Sequence, residues 1–272
     1  MSILVGAITG ALFGGLGALV GGVLMRSADS KLKGRVIWFC VMVGAVASRP
    51  VAEQIVEPRL AEMRVEQQLS ELPTFTVLRQ HYPSEYQQAV GQLRSAIREG
   101  QSSVDASNAV RAHISAAIGR ALPKADQANT LAMMRLAHHE GVTLRRESET
   151  ECGSFFSSGT TSLDLQKAFG PDLVARDMQV TAAMLKQAAT APHKWPSTSS
   201  STELDAFAAA ALQRGSTTDR ARLETWVARG APSSDLASTC IFTLSLLEEL
   251  LASPNGKGAA AYQAFSSDQS EG

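Results

Sequence analysis

The sequence predicts an all-α protein: an N-terminal two-helix transmembrane hairpin followed by a multi-helix soluble bundle. Three observations carry that prediction. Residues 3–25 contain no charged side chain. Beyond residue 50, apolar side chains recur at the three- and four-residue spacing of a buried helix face. No stretch alternates apolar and polar residues as a half-buried strand does, and no Asn-Gly or Asp-Gly turn separates two such stretches.

The first element covers 3–25. As a helix it would rise roughly 34 Å, enough to cross a hydrocarbon core of about 30 Å. Its stretch "GAITGALFGGLGALVGG" holds seven glycines, each of which costs a helix in water about 0.5–1 kcal/mol. In lipid the backbone has to satisfy its own hydrogen bonds, so the helix forms regardless. Gly6, Gly10, Gly14, Ala18 and Gly22 recur every fourth residue, and Gly17 and Gly21 make a second pair. Such a glycine zipper lets another helix approach backbone to backbone. A signal peptide would want basic residues ahead of a shorter apolar run, and "MSILVG" has none.

The second span is expected over 33–50. Its apolar centre, "VIWFCVMVGAVAS", would rise only about 20 Å, so Lys33, Arg35 and Arg49 must extend toward the headgroups. The loop at 26–35 holds Arg26, Lys31, Lys33 and Arg35 against Asp29, a balance of +3. The positive-inside rule places that loop in the cytoplasm and both termini on the other side. Arginine outnumbers lysine 18 to 7, a bias that suggests a GC-rich bacterial genome. The expected address is therefore a bacterial inner membrane, with the bulk of the chain periplasmic.

Residues 51–252 read as the soluble helical domain. Pro58 should kink or split its first helix. Pro73 and Pro83 bracket a short irregular piece, "TFTVLRQHY". Tyr86, Val90, Leu93 and Ile97 form one apolar face, ended by Gly100. Val110, Ile114, Ile118 and Leu122 form the next, before Pro123. Further helices are expected at 131–146, from about Pro171 through Ala188, and around Leu204 to Ala211. Another covers 219–229, with Leu223, Trp226 and Val227 inward, and the last covers 233–251. That last segment is strongly apolar, but Glu248 and Glu249 mark it as a bundle's central helix rather than a span. The Pro/Ser/Thr-rich stretch 190–202 is expected to be an exposed loop or linker, and 253–272 a flexible tail, disordered or loosely helical.

Cys152 and Cys240 are the cysteines of the soluble region, and an oxidising compartment would let them pair. Cys240 shares a helical face with Leu236, Leu244, Leu247 and Leu251, whereas Cys152 sits in the polar stretch "ESETECGSFFSSGTTS".

No catalytic, cofactor-binding or metal-binding residue emerges. In "AHHEG", His138 and His139 point about 100° apart on a helix, unlike the four-residue spacing of a zinc-protease helix. His138 aligns with Leu131, Met134 and Val142 and is expected to be partly buried packing. Glu147, Glu149 and Glu151 read as a solvated helix end. Ser157 and Ser158 lack the Gly-x-Ser-x-Gly elbow, and Phe155 and Phe156 should anchor their loop in the core or expose an apolar contact for a partner. Phe75, His81, Tyr82 and Tyr86 are expected to pack a corner between helices. Trp195 is the residue expected to be exposed without a structural reason.

The loop's four basic residues and Asp29 aside, 21 basic and 25 acidic residues remain, which argues against a nucleic-acid footprint. The expected function is a membrane-anchored envelope protein whose periplasmic domain is a non-enzymatic binding or scaffolding module. Its expected partners are the lipid bilayer and another protein, or a second copy met through the hairpin. The alternatives are a glycine-driven homo-oligomer or pore, and a membrane-tethered hydrolase of a cell-wall or peptide substrate.

Overall fold

The computed structural model describes residue 69, residues 71–195 and residues 201–268. The predicted hairpin, its loop residues Arg26, Lys31, Lys33 and Arg35, and the small-residue stripe lie outside the described residues. Among the described residues there are ten α-helices and no strand, so the all-α prediction holds there. None of these helices is long and apolar enough to cross a membrane.

Helix α1 (Pro73–His81) corrects the expected irregular piece. Proline at its first turn is compatible with a helix start, and Thr74, Phe75, Val77 and Leu78 are buried. Tertiary packing overrides the weak helix preference of these β-branched and aromatic residues. Helix α2 (Pro83–Arg98) and helix α3 (Ser103–Ala121) follow the apolar faces read from the sequence, and a 3-10 turn, Leu122–Lys124, closes α3 at Pro123. Helix α4 is Gln127–Glu147.

Helix α5 (Glu149–Ser158) occupies the polar stretch expected to be a loop. Ser148 caps its start: Ser148 Oγ accepts a hydrogen bond from Glu151 N at 3.2 Å. Glu149 and Glu151 favour the positive end of the helix dipole. Gly159, in the left-handed conformation at φ 72°, ends the helix.

Helix α6 (Leu165–Thr190) bends at Gly170, whose φ of 69° and ψ of 169° are not helical, and its long segment starts at Pro171. Helix α7 is Ser201–Leu212, helix α8 is Thr217–Ala228 and helix α9 is Leu236–Ala252. On α8, Leu223 and Trp226 point inward as expected, but Val227 is 44 % exposed. Trp226 already fills that face, stacking toward Phe242 with ring centroids 5.4 Å apart. After a 3-10 turn at Pro254–Gly256 comes helix α10 (Lys257–Asp268), where a flexible tail was expected. Ala259, Ala261 and Tyr262 are buried, and Gln263 Nε2 donates to Thr130 Oγ1 at 2.6 Å. The apolar area of that one face holds the segment on the bundle.

Helix α9 is the hub. It is buried on nearly every side and packs against α4, α5, α7, α8 and α10. Helix α6 plays the same part for α1, α3 and α4. Helix α4 therefore joins the two groups, and one continuous apolar core runs from Phe75 to Tyr262.

Candidate functional site

Three features of the bundle carry chemistry: a buried cystine, a polar cleft beside it, and a charge cluster inside the core.

Cys152 on α5 and Cys240 on α9 are disulfide-bonded, with Cα atoms 5.4 Å apart. Both are fully buried. The two helices meet closely because Gly153 faces the carbonyl group of Leu236, where a Cβ would fall on backbone atoms. The bond clamps α5 to the hub of the fold across 88 residues of sequence.

The polar outer side of α5 forms one wall of a cleft of about 570 Å³, facing the start of α3. Ser102 lines it as the cap of α3, Asp105 and Asn108 from α3, Glu151 and Ser154 from α5, and Thr160, Thr161 and Ser162 from the turn after α5. Its lining includes two carboxylates and no basic residue. Glu151 organises the wall, accepting from Thr161 Oγ1 at 2.6 Å, Ser162 Oγ at 2.6 Å and Ser162 N at 2.7 Å. Partial burial alone would raise its pKa, but the Ser162 and Thr161 hydrogen bonds outweigh burial and hold it below the ordinary carboxylate value. Asn108 Nδ2 donates to Thr161 O at 3.0 Å, tying the turn to α3. Asp105 Oδ2 accepts from Ser102 Oγ at 2.6 Å.

Inside the bundle, where α3, α4 and α6 converge, Arg111, Glu140 and Asp177 are 2 %, 0 % and 2 % exposed. Burial drives the Glu140 pKa well above the ordinary carboxyl range; Asp177 adds to that and Arg111 opposes it. Burial also pushes the Arg111 guanidinium down to about 10, against the pull of Glu140 and Asp177, so it stays cationic at neutral pH. Neither Glu140 oxygen has a hydrogen-bond partner among the described residues. Asp177 Oδ1 accepts from Thr181 Oγ1 at 2.9 Å.

Most of the residues singled out from the sequence have structural work. His138 Nε2 lies 3.1 Å from Glu248 Oε1, and Arg214 binds Glu248 and Glu249 beside it, so His138 is half-buried in an ion-pair group. His139 is exposed. Glu149 is engaged by two cations: Arg145 and Arg222 reach it at 3.1 and 2.7 Å, and Arg145 also pairs with Asp219 at 2.8 Å. Ser157 and Ser158 donate to the carbonyls of Gly153 and Ser154 within α5. Phe155 and Phe156 are buried, but from a helix rather than a loop. Phe75 and Tyr86 meet edge to face, and Tyr82 Oη donates to Leu185 O, as a packed corner requires. Trp195 is not bare: its Nε1 donates to Ala125 O at 2.7 Å, and His193 N donates to Lys124 O at 2.8 Å. The start of the expected linker is thereby tied to the 3-10 turn.

The core cluster was missed, although a signal existed. Glu140 continues the Met133, Ala137, Leu144 face and Arg111 the Ile114, Ile118 face, so each charge stands on an apolar stripe. No group of three or more His, Cys, Asp or Glu side chains among the described residues is placed to hold a metal ion. Compared with known protein families, curated proteins and solved structures, the chain matches none.

Proposed function

We propose that the chain is a membrane-anchored cell-envelope protein whose helical domain works on the periplasmic side of a bacterial inner membrane as a non-enzymatic binding or scaffolding module. The observation that carries this reading is the buried Cys152–Cys240 cystine. Structural disulfides persist in oxidising compartments and are rare in the cytosol. The basic loop at 26–35 independently supports the same side. The cleft on α5 is the proposed contact surface. With two carboxylates, several hydroxyls and no cation in its lining, it suits a partner offering N–H or O–H donors and repels a polyanion such as nucleic acid. Hydrolysis of a glycoside would need a carboxylic acid that keeps its proton, whereas the partners of Glu151 hold it ionised. That difference supports binding over hydrolysis. Self-association through the hairpin is a compatible second reading, favoured by the four-residue spacing from Gly6 to Gly22.

The test is topological. A periplasm-active reporter fused after residue 272 should be active, and the protein should stay in the membrane through a carbonate wash. In denatured, unreduced protein one thiol, Cys40, should react with maleimide. A reporter active only in the cytosol, or three reactive thiols, would overturn the proposal.

A further inference from the structure

Helix α8 is fastened to the bundle largely by charge. Two of its 12 residues, Leu223 and Trp226, are buried, and it packs against α9 and, more lightly, α7. Trp226 meets Phe242 of α9 with ring centroids 5.4 Å apart. Ion pairs supply further ties. Asp219, in the first turn, pairs with Arg145 of α4 at 2.8 Å. Arg222, one turn later, pairs with Glu149 of α5 at 2.7 Å. Arg145 and Glu149 are themselves paired at 3.1 Å across the extended Ser148 that separates α4 from α5. The four side chains alternate in sign around a ring closed through the backbone of α8, with no net charge. At the far end Arg229 pairs with Asp235, the cap of α9, at 2.6 Å.

The ring is open to water. Arg145, Glu149 and Arg222 keep 32, 34 and 42 % of their side-chain surface exposed, so dissolved ions reach them and screen their attraction. Burial of Leu223 and Trp226 is not weakened in that way, but two side chains are a small apolar anchor. Helix α8 is also capped from within. Ser216 Oγ accepts from Asp219 N at 3.1 Å, and Gly230 N and Ala231 N donate back to Val227 O and Trp226 O, both at 2.9 Å. No capping bond is broken when α8 leaves its neighbours. Gly215 and Gly230, at φ 89° and 81°, flank it, and glycine backbone turns as readily to either side. The hub behind α8 has other support: α9 packs against α4, α5, α7 and α10 and is covalently tied to α5.

We propose that α8 is a salt-released strap. At low ionic strength the ring of Arg145, Asp219, Arg222 and Glu149 holds it against α9. At high ionic strength it swings away as a unit about Gly215 and Gly230, baring the Phe242 side of the hub while the remaining helices stay folded. The strap takes nothing from the membrane or cleft readings.

Amide exchange of the full chain at one fixed pH tests it, in about 0.01 M and about 1 M sodium chloride, where the Debye length is about 30 Å and about 3 Å. Residues 219–229 should lose protection roughly tenfold in high salt, the scale of a few partly exposed ion pairs, while 240–247 of α9 stay unchanged. Arg222→Gln and Asp219→Asn should each lower the low-salt protection toward the high-salt level and flatten the salt response. Glu224→Gln, an exposed charge of α8 outside the ring, should alter neither. Should a ring variant fail to fold, the wild-type salt response decides. Protection at 219–229 that ignores salt, an equal loss along α9, or Arg222→Gln behaving like Glu224→Gln would overturn the strap.

Discussion

Gly153 lies against the Leu236 carbonyl so closely that a methyl group there would collide with backbone atoms, immediately beside Cys152, from which the disulfide to Cys240 crosses to α9. A backbone atom cannot rotate aside, so the helices would have to separate. Gly153→Ala should destabilise the domain by about 1–3 kcal/mol or more. Gly119→Ala, on α3 with open space around it, should be neutral or stabilise by about 0.4–1 kcal/mol. Denaturant midpoints of the two variants check the contrast, and equal midpoints would count against the close approach.

The cystine closes a loop across 88 residues. The chain-entropy model gives it about 4–5 kcal/mol. The Cys152→Ser, Cys240→Ser double variant should lose stability on that scale in urea titrations. Because both sulfurs are buried, dithiothreitol alone should reduce the native protein slowly, and at a rate that rises with added denaturant.

Glu140 makes stability fall with rising pH. Its folded pKa lies above its unfolded value, so the folded state holds the proton longer. Its contribution is complete below the unfolded pKa and is lost progressively as pH rises toward the folded one, with a slope of up to about 1.4 kcal/mol per pH unit. Glu140→Gln should therefore be more stable than wild type at neutral pH, with the gap closing near pH 4. Glu151 and Glu248, held below their ordinary values, act oppositely: what they add is present at neutral pH and lost as the solution is acidified. Urea midpoints across pH for both proteins check this.

For the proposed hairpin, Gly14→Ile should weaken association of the spans in a detergent crosslinking assay, whereas Leu19→Ile should leave it unchanged. Equal behaviour would remove the packing role assigned to the small-residue stripe.

The sequence by itself determined the helical class and most helix positions, because those depend on local quantities: the spacing of Tyr86, Val90 and Ile97, the stop at Gly100, and the apolar density of α9. It also marked Cys152 and Cys240 as a possible pair. What it left open was decided by contacts between distant segments. The polar stretch 149–158 became a helix because Ser148 caps it and Phe155 and Phe156 reach the core, and 257–268 docked because Tyr262 found a buried place. Trp195 was held by a carbonyl 70 residues earlier. Above all, Arg111, Glu140 and Asp177 lie far apart in the chain, and only the convergence of three helices removes them from water together. Periodicity reports which face of a helix is apolar; it carries no information on which charges on neighbouring helices will share that face, and so the electrostatics of the core belong to the tertiary structure alone.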